Sequence, residues 1–167
     1  MTTQTKKLNI KIFADGAEKE KMLAAAKNPL VAGFTTNPTL MKKGGVTDYK
    51  KFALEILDAI KDKSLSFEVF ADEFDEMETQ AKEIASWGDN VYIKIPITNT
   101  KGESSLPLVK KLSDAGVKLN VTAIFTLKQV ENTVKALENS NGAYVSVFAG
   151  RIADAGIDPV PMMAEAL

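Results

Sequence analysis

Lys94 lies in the segment Val91-Tyr92-Ile93-Lys94-Ile95-Pro96-Ile97. Side chains alternate along a strand, so the odd positions form one aliphatic face and Lys94 shares the other with Tyr92 and Pro96. An ammonium held between Ile93 and Ile95 is costly to desolvate unless paired, and burial favours the neutral amine. A neutral amine adds to a carbonyl to form a Schiff base, an electron sink for cleaving a carbon–carbon bond. The same pattern also suits a structural lysine paired with a carboxylate such as Glu68. Glu68 opposes Phe67 and Val69, and Asp15 shares a face with Phe13. These carboxylates are the acid–base candidates, because Schiff-base chemistry moves protons at carbinolamine formation, dehydration, cleavage and hydrolysis. An ion pair with Lys94 is the alternative for either one.

Other polar residues fall in the same way. Asn120 and Thr122 share the face opposite Leu119, Val121 and Ala123; Tyr144, Ser146 and Phe148 share one against Val145 and Val147. Most of these polar groups lie toward the C-terminal ends of their segments, where sites form in parallel α/β sheets and barrels. Arg151 follows Gly150 just after a strand end, an arrangement suited either to an anionic group such as a phosphate or to an ordinary surface loop.

Composition narrows the chemistry further. The 167 residues include no His and no Cys. No Ser-His or Cys-His couple, His-ligated zinc, thiolate site or disulfide can be built from them. Covalent catalysis must use Lys, Ser, Thr, Tyr or a carboxylate. Twenty-one Lys and Arg stand against 22 Asp and Glu, for a net charge of -1, and the Lys pairs at 42/43, 50/51 and 110/111 are scattered, so no nucleic-acid footprint is expected. Met1 to Lys7 is polar, and no apolar run is long enough to cross a membrane, which leads to a cytoplasmic, soluble expectation without membrane partners. Neither carboxylate has clustered Asp or Glu at ligand spacing, so no metal site is expected. The sequon Asn120-Val121-Thr122, the acidic ends of Asp72 to Glu83 and the pair Gly44-Gly45 are incomplete or misplaced as glycosylation, calcium and phosphate-loop motifs.

The elements that must position these groups alternate. Strand-like segments are Leu8 to Ala14, Leu30 to Thr35, Ser64 to Phe70, Val91 to Ile97, Val117 to Phe125 and Ala143 to Phe148. Helical patterns are Ala17 to Lys27, Tyr49 to Lys61, Glu73 to Trp87, Ser104 to Ala115 and Leu127 to Asn139. Gly116 and Asn141-Gly142 punctuate the last two. Strand–helix alternation implies a parallel sheet, hence an α/β fold, and the chain contains no linker that would divide it. Six βα units fill the 167 residues, whereas an eight-unit barrel takes roughly 200 or more.

The segments Gly33-Phe34-Thr35-Thr36-Asn37-Pro38-Thr39-Leu40, Ile93-Lys94-Ile95-Pro96, Asn120-Val121-Thr122 and Ser146-Val147-Phe148-Ala149-Gly150-Arg151 resemble the transaldolase family. The likeness is strongest to its short single-domain branch, which includes fructose-6-phosphate aldolase, and it runs from about Ile10 to Asp154. It implies a parallel (β/α) TIM-type barrel and a class I enzyme that acts on sugar phosphates without metal or cofactor. Lys94 would form the Schiff base with a ketose phosphate. Asp15 would assist proton transfer in cleavage, and Glu68 would act through a water positioned by Thr122. Asn37, within the Thr35-Thr36-Asn37-Pro38 motif, and Asn120 would bind substrate hydroxyls. Ser146 would sit beside the dihydroxyacetone unit, next to Phe148, and Arg151 would hold the phosphate.

Within the family, aldolases carry Gln where this chain has Glu68 and Tyr where it has Phe148, while transaldolases carry Glu and Phe. The resemblance therefore implies transfer of a dihydroxyacetone unit, from a ketose phosphate such as fructose 6-phosphate to an aldose phosphate such as erythrose 4-phosphate. Aldol cleavage of fructose 6-phosphate is the alternative. A reading of another class is a six-unit barrel fragment that holds sugar phosphate, or pairs with a complementary chain, without turnover. The family continues for two more βα units and a C-terminal helix, and strand seven supplies a Ser, and often an Arg, to the phosphate site. Its short branch assembles as a pentamer or decamer, an oligomer to which that helix contributes.

Overall fold

The computed structural model describes residues 9–167, so Leu8, where the first strand was expected to begin, lies outside the described residues. Six strands follow one another in hydrogen-bonded order β1-β2-β3-β4-β5-β6. They alternate with helices in the TIM-type α/β arrangement, as six βα units. The chain forms two compact units, one ending at Ser66 and the other beginning at Phe67.

The first unit contains β1 (Ile12–Asp15), α1 (Lys19–Ala26), β2 (Val31–Thr35), α2 (Pro38–Lys43), α3 (Tyr49–Ala59) and the start of β3 (Ser64–Glu68). β1 pairs parallel with β2, and β2 with β3. Gly33 sits in this ladder opposite Phe13 and Ser64. A Cβ there would meet the Ser64 hydroxyl and stand 2.5 Å from Phe13 Cε1 and 2.8 Å from the Ser64 carbonyl, so only glycine fits. α3 begins where Asp48 accepts a hydrogen bond from Lys51 N–H at 2.9 Å, and it buries the Phe52, Ala53, Ile56 and Leu57 stripe. An ion pair of 2.7 Å joins Lys19 on α1 to Glu55 on α3.

The second unit contains the end of β3, then α4 (Phe74–Ala85), β4 (Val91–Pro96), α5 (Leu106–Asp114), β5 (Leu119–Ile124), α6 (Leu127–Ala136), β6 (Ala143–Val147), α7 (Ala149–Asp154) and α8 (Val160–Glu165). β4, β5 and β6 pair parallel. The alternation read from the sequence is realised in β4: Val91, Ile93, Ile95 and Ile97 are buried along one face. With Leu119, Val121, Met77, Ile84, Val109 and Leu112 they form the core of this unit. α5 ends at Asp114, and Gly116 takes φ +80 beyond its cap, the left-handed turn expected of a glycine there. α6 starts in a capping box, with Thr126 Oγ1 accepting from Gln129 N–H and the Gln129 side chain accepting from Thr126 N–H.

The elements are shorter than their sequence patterns because patterns of apolar residues run past the last hydrogen bond. α4 stops at Ala85, and Trp87 instead packs its ring edge-on to Phe67 with centroids 6.2 Å apart. Three short helices, α2, α7 and α8, were not anticipated; each has six residues, too few for a periodic stripe. Among the described residues no helix is long and apolar enough to cross a membrane.

Candidate active site

In the second unit, register places the polar residues in rows. Lys94 is the Cα partner of Asn120, Asn120 of Tyr144, and Pro96 of Thr122. Partners in a parallel ladder project to the same side, so Lys94 and Asn120 stand side by side on the face opposite the buried isoleucines. Lys94 is only 7% exposed, and its Nζ lies 3.2 Å from Glu68 Oε2. The lysine and carboxylate singled out in the sequence are therefore an ion pair, and that pair sits at the C-terminal part of two neighbouring strands. Their backbones are tied as well: Val69 N–H donates to the carbonyl of Lys94 at 3.1 Å.

Ser146 Oγ donates to Asn120 Oδ1 at 2.7 Å, linking β6 to β5. Tyr92 and Tyr144 stack at a tilt with ring centroids 4.6 Å apart. Burial, then the neighbouring Tyr144, pushes the Tyr92 phenol above the ordinary tyrosine range. Thr122 is buried and precedes a break in the pleat. Ala123 has φ +58, and the register shifts between Val121 and Ile124. This extra residue keeps Asn120 and Thr122 on the polar face yet returns Ile124 to the core. The flanking carbonyls stay paired, Thr122 O accepting from Ile97 N–H and Ile124 O from Phe148 N–H, both at 2.9 Å.

In the first unit, Thr35 Oγ1 donates to Asp15 Oδ1 at 2.6 Å, and Gly16 N–H donates to Thr35 O at 3.1 Å. The β1 and β2 ends thus hold the Asp15 carboxylate by one oxygen. Asn37 is the N-cap of α2, its Oδ1 accepting from Leu40 N–H at 2.8 Å, with Pro38 in the first turn. The Thr-Thr-Asn-Pro motif therefore has a local structural meaning, a strand end followed by a capped helix start.

Arg151 lies in the short helix α7, not in a loop, with its side chain 71% exposed and 3.5 Å from Asp154. Gly150, expected to permit close approach, would have open space around an added Cβ. Phe148 occupies the position just before α7 without a side-chain capping bond, and it meets Phe125 edge-on at 5.6 Å. The structure thus joins Lys94 to Glu68, Asn120 to Ser146 and Asp15 to Thr35, and leaves Arg151 on the surface. Among the described residues no three His, Cys, Asp or Glu side chains are grouped to hold a metal ion. Asp72, weighed in the sequence only as one end of an incomplete calcium-loop pattern, accepts from both the Thr100 N–H and hydroxyl; nothing in the local pattern marks two loop residues so far apart as partners.

A parallel α/β sheet built from six βα units defines a class, the TIM-type proteins, in which sites form at the C-terminal strand ends. Comparison with known proteins narrows the class to one family. A sequence model of Transaldolase/Fructose-6-phosphate aldolase matches residues 12–167. The chain belongs to the transaldolase/fructose-6-phosphate aldolase family. It is similar to a probable transaldolase of Dehalococcoides mccartyi, 40% identical over 149 residues, covering 89% of this chain and 65% of that protein. A probable transaldolase of Streptococcus agalactiae is 39% identical over 149 residues, covering 89% and 65%. One of Clostridium kluyveri is 36% identical over 156 residues, covering 93% and 68%. The chain thus spans 65% of the length of the first two relatives.

Proposed function

We propose that this chain carries the Schiff-base centre of a transaldolase, with Lys94 as nucleophile. The observation that carries the reading is the buried Lys94 amine 3.2 Å from the Glu68 carboxylate, beside Asn120 in the register. The ion pair lets Glu68 take a proton from the ammonium, leaving the amine to attack the C2 carbonyl of an open-chain ketose phosphate such as fructose 6-phosphate. Loss of water from the carbinolamine gives an iminium. Removal of the proton on the C4 hydroxyl then breaks the C3–C4 bond, releasing glyceraldehyde 3-phosphate and leaving the electron pair in an enamine of dihydroxyacetone. On the family resemblance alone, Asp15 takes that proton. Attack of the enamine on an aldose phosphate such as erythrose 4-phosphate forms the new carbon–carbon bond, and hydrolysis restores Lys94.

The remaining roles rest on the same reading. Thr122 places the water through which Glu68 acts. Asn120 and the Nδ2 of Asn37 donate to substrate hydroxyls, Ser146 orients Asn120, and Arg151 swings from Asp154 to a phosphate. Glu68 and Phe148 favour transfer over simple cleavage, since neither supplies the tyrosine hydroxyl that would protonate the enamine and free dihydroxyacetone.

Borohydride reduction in the presence of fructose 6-phosphate tests this. A stable adduct on Lys94, located by peptide mass spectrometry and lost in Lys94→Met, is the expected result. No adduct under saturating substrate would sink the proposal. Acceptor-independent release of glyceraldehyde 3-phosphate as the main reaction would instead identify an aldolase.

A further inference from the structure

Two loops leave the strands that carry the Lys94–Glu68 pair. The first runs from β3 to α4, and Gln80 of α4 organises it, its Oε1 accepting from Phe70 N–H at 2.9 Å and Ala71 N–H at 3.0 Å. The second runs from β4 to α5 and turns around the buried Asn99. Asn99 Oδ1 accepts from Lys101 N–H at 3.1 Å and Glu103 N–H at 2.9 Å, while its amide donates to Glu103 Oε2 at 2.6 Å. Each loop is thus ordered from within. They are joined through Asp72, whose Oδ1 accepts from Thr100 N–H at 2.8 Å and whose Oδ2 accepts from the Thr100 hydroxyl at 2.6 Å. Lys101 pairs with Glu73 alongside.

Both carboxylate oxygens of Asp72 are given to one residue of the neighbouring loop, which restrains direction as well as distance. Together with the Val69–Lys94 backbone bond, this closes the ends of β3 and β4 at two points beyond the ion pair. The pair needs such support. Once Lys94 becomes part of a carbinolamine its charge is lost, and attraction alone no longer holds Glu68 within reach.

We propose that Asp72 is a positioning residue: its double hydrogen bond to Thr100 keeps the Glu68 carboxylate against Lys94 through the states in which the ion pair is absent. The inference rests on the reading of Lys94 and Glu68 as the reacting pair. Small displacements at a reacting centre cost rate steeply, so Asp72→Ala lowers kcat about tenfold or more, with KM changed far less. Asp72→Asn, which keeps an acceptor for Thr100 N–H, falls between it and the wild type. Thr100→Ser keeps both bonds and restores the wild-type rate, whereas Thr100→Val loses one bond and resembles Asp72→Asn.

A second measurement does not require turnover. The rate of reductive methylation of Lys94 by formaldehyde and cyanoborohydride, read by peptide mass spectrometry at fixed pH, reports how firmly Glu68 holds the ammonium. Glu68→Gln sets the released rate, and Asp72→Ala is expected to move several-fold toward it while the fold's melting transition persists. Labelling of Asp72→Ala at the wild-type rate, with Glu68→Gln accelerated, would overturn the proposal, as would a Glu68→Gln variant labelled no faster than wild type. Failure of the wild-type chain to trap fructose 6-phosphate would count against the transaldolase reading, while the labelling comparison would still decide the role of Asp72.

Discussion

The Ser146 hydroxyl donates to Oδ1 of Asn120, so the carboxamide of Asn120 is held with its oxygen toward β6. On the transaldolase reading, its Nδ2 is the donor offered to a substrate hydroxyl. Ser146→Ala removes this restraint on the Asn120 carboxamide, and the loss of one hydrogen bond corresponds to about a three- to tenfold rise in KM for fructose 6-phosphate. Steady-state kinetics check this, and a fall in kcat at constant KM would place Ser146 in the chemical step instead.

On the transaldolase reading, Glu68 and Phe148 decide what becomes of the bound three-carbon unit. Phe148→Tyr places a hydroxyl near the strand end, and with Glu68→Gln it should shift the products toward glyceraldehyde 3-phosphate released without acceptor. Glu68→Gln alone removes the proton carrier and lowers the transfer rate about a hundredfold or more. A coupled assay with and without erythrose 4-phosphate separates the two effects.

Ile93 is fully buried on the face opposite Lys94. Ile93→Ala removes three carbons from the core and should cost about 2–5 kcal/mol, according to how far the neighbours collapse. Urea denaturation should show a lower midpoint with an unchanged slope.

Thr100 holds the Asp72 carboxyl below its ordinary range, first through its hydroxyl and then through its backbone N–H. Glu73, Glu103 and Lys101 are the charged groups around it. A depressed folded-state value means that stability is gained above the unfolded value of about 3.9 and lost as the pH falls through the lower folded value. The stability gap between the wild type and Asp72→Asn should thus be full at pH 7 and shrink progressively below about pH 4, as urea midpoints across that range would show. Glu78, held low by Lys111 and then Lys82, contributes in the same direction.

The strand alternation in β4 and the polar row at Lys94 and Asn120 were legible from residue order, because a period of two is a property of every strand. The pairing of Lys94 with Glu68 stood there only as the structural alternative to a nucleophilic lysine, and it is the tertiary fold that brings the two side chains together. The family likeness supplied Asn37 and the roles of Ser146 and Arg151. What the pattern could not reveal lay beyond local order. The break at Ala123 requires φ +58, a conformation alanine rarely adopts and a two-residue count does not register. Asn37-Pro38 contained the signal for α2, an N-cap followed by proline. Asp72 and Thr100 meet through loops whose course only the folded chain determines.

The two faces of β4 also bear on redesign. Aliphatic side chains at Ile93 and Ile95 anchor the strand from one side, while the groups proposed above to meet substrate project from the other. Libraries confined to Asn120, Thr122, Ser146 and Phe148 therefore sample new acceptor preferences while leaving that anchor untouched.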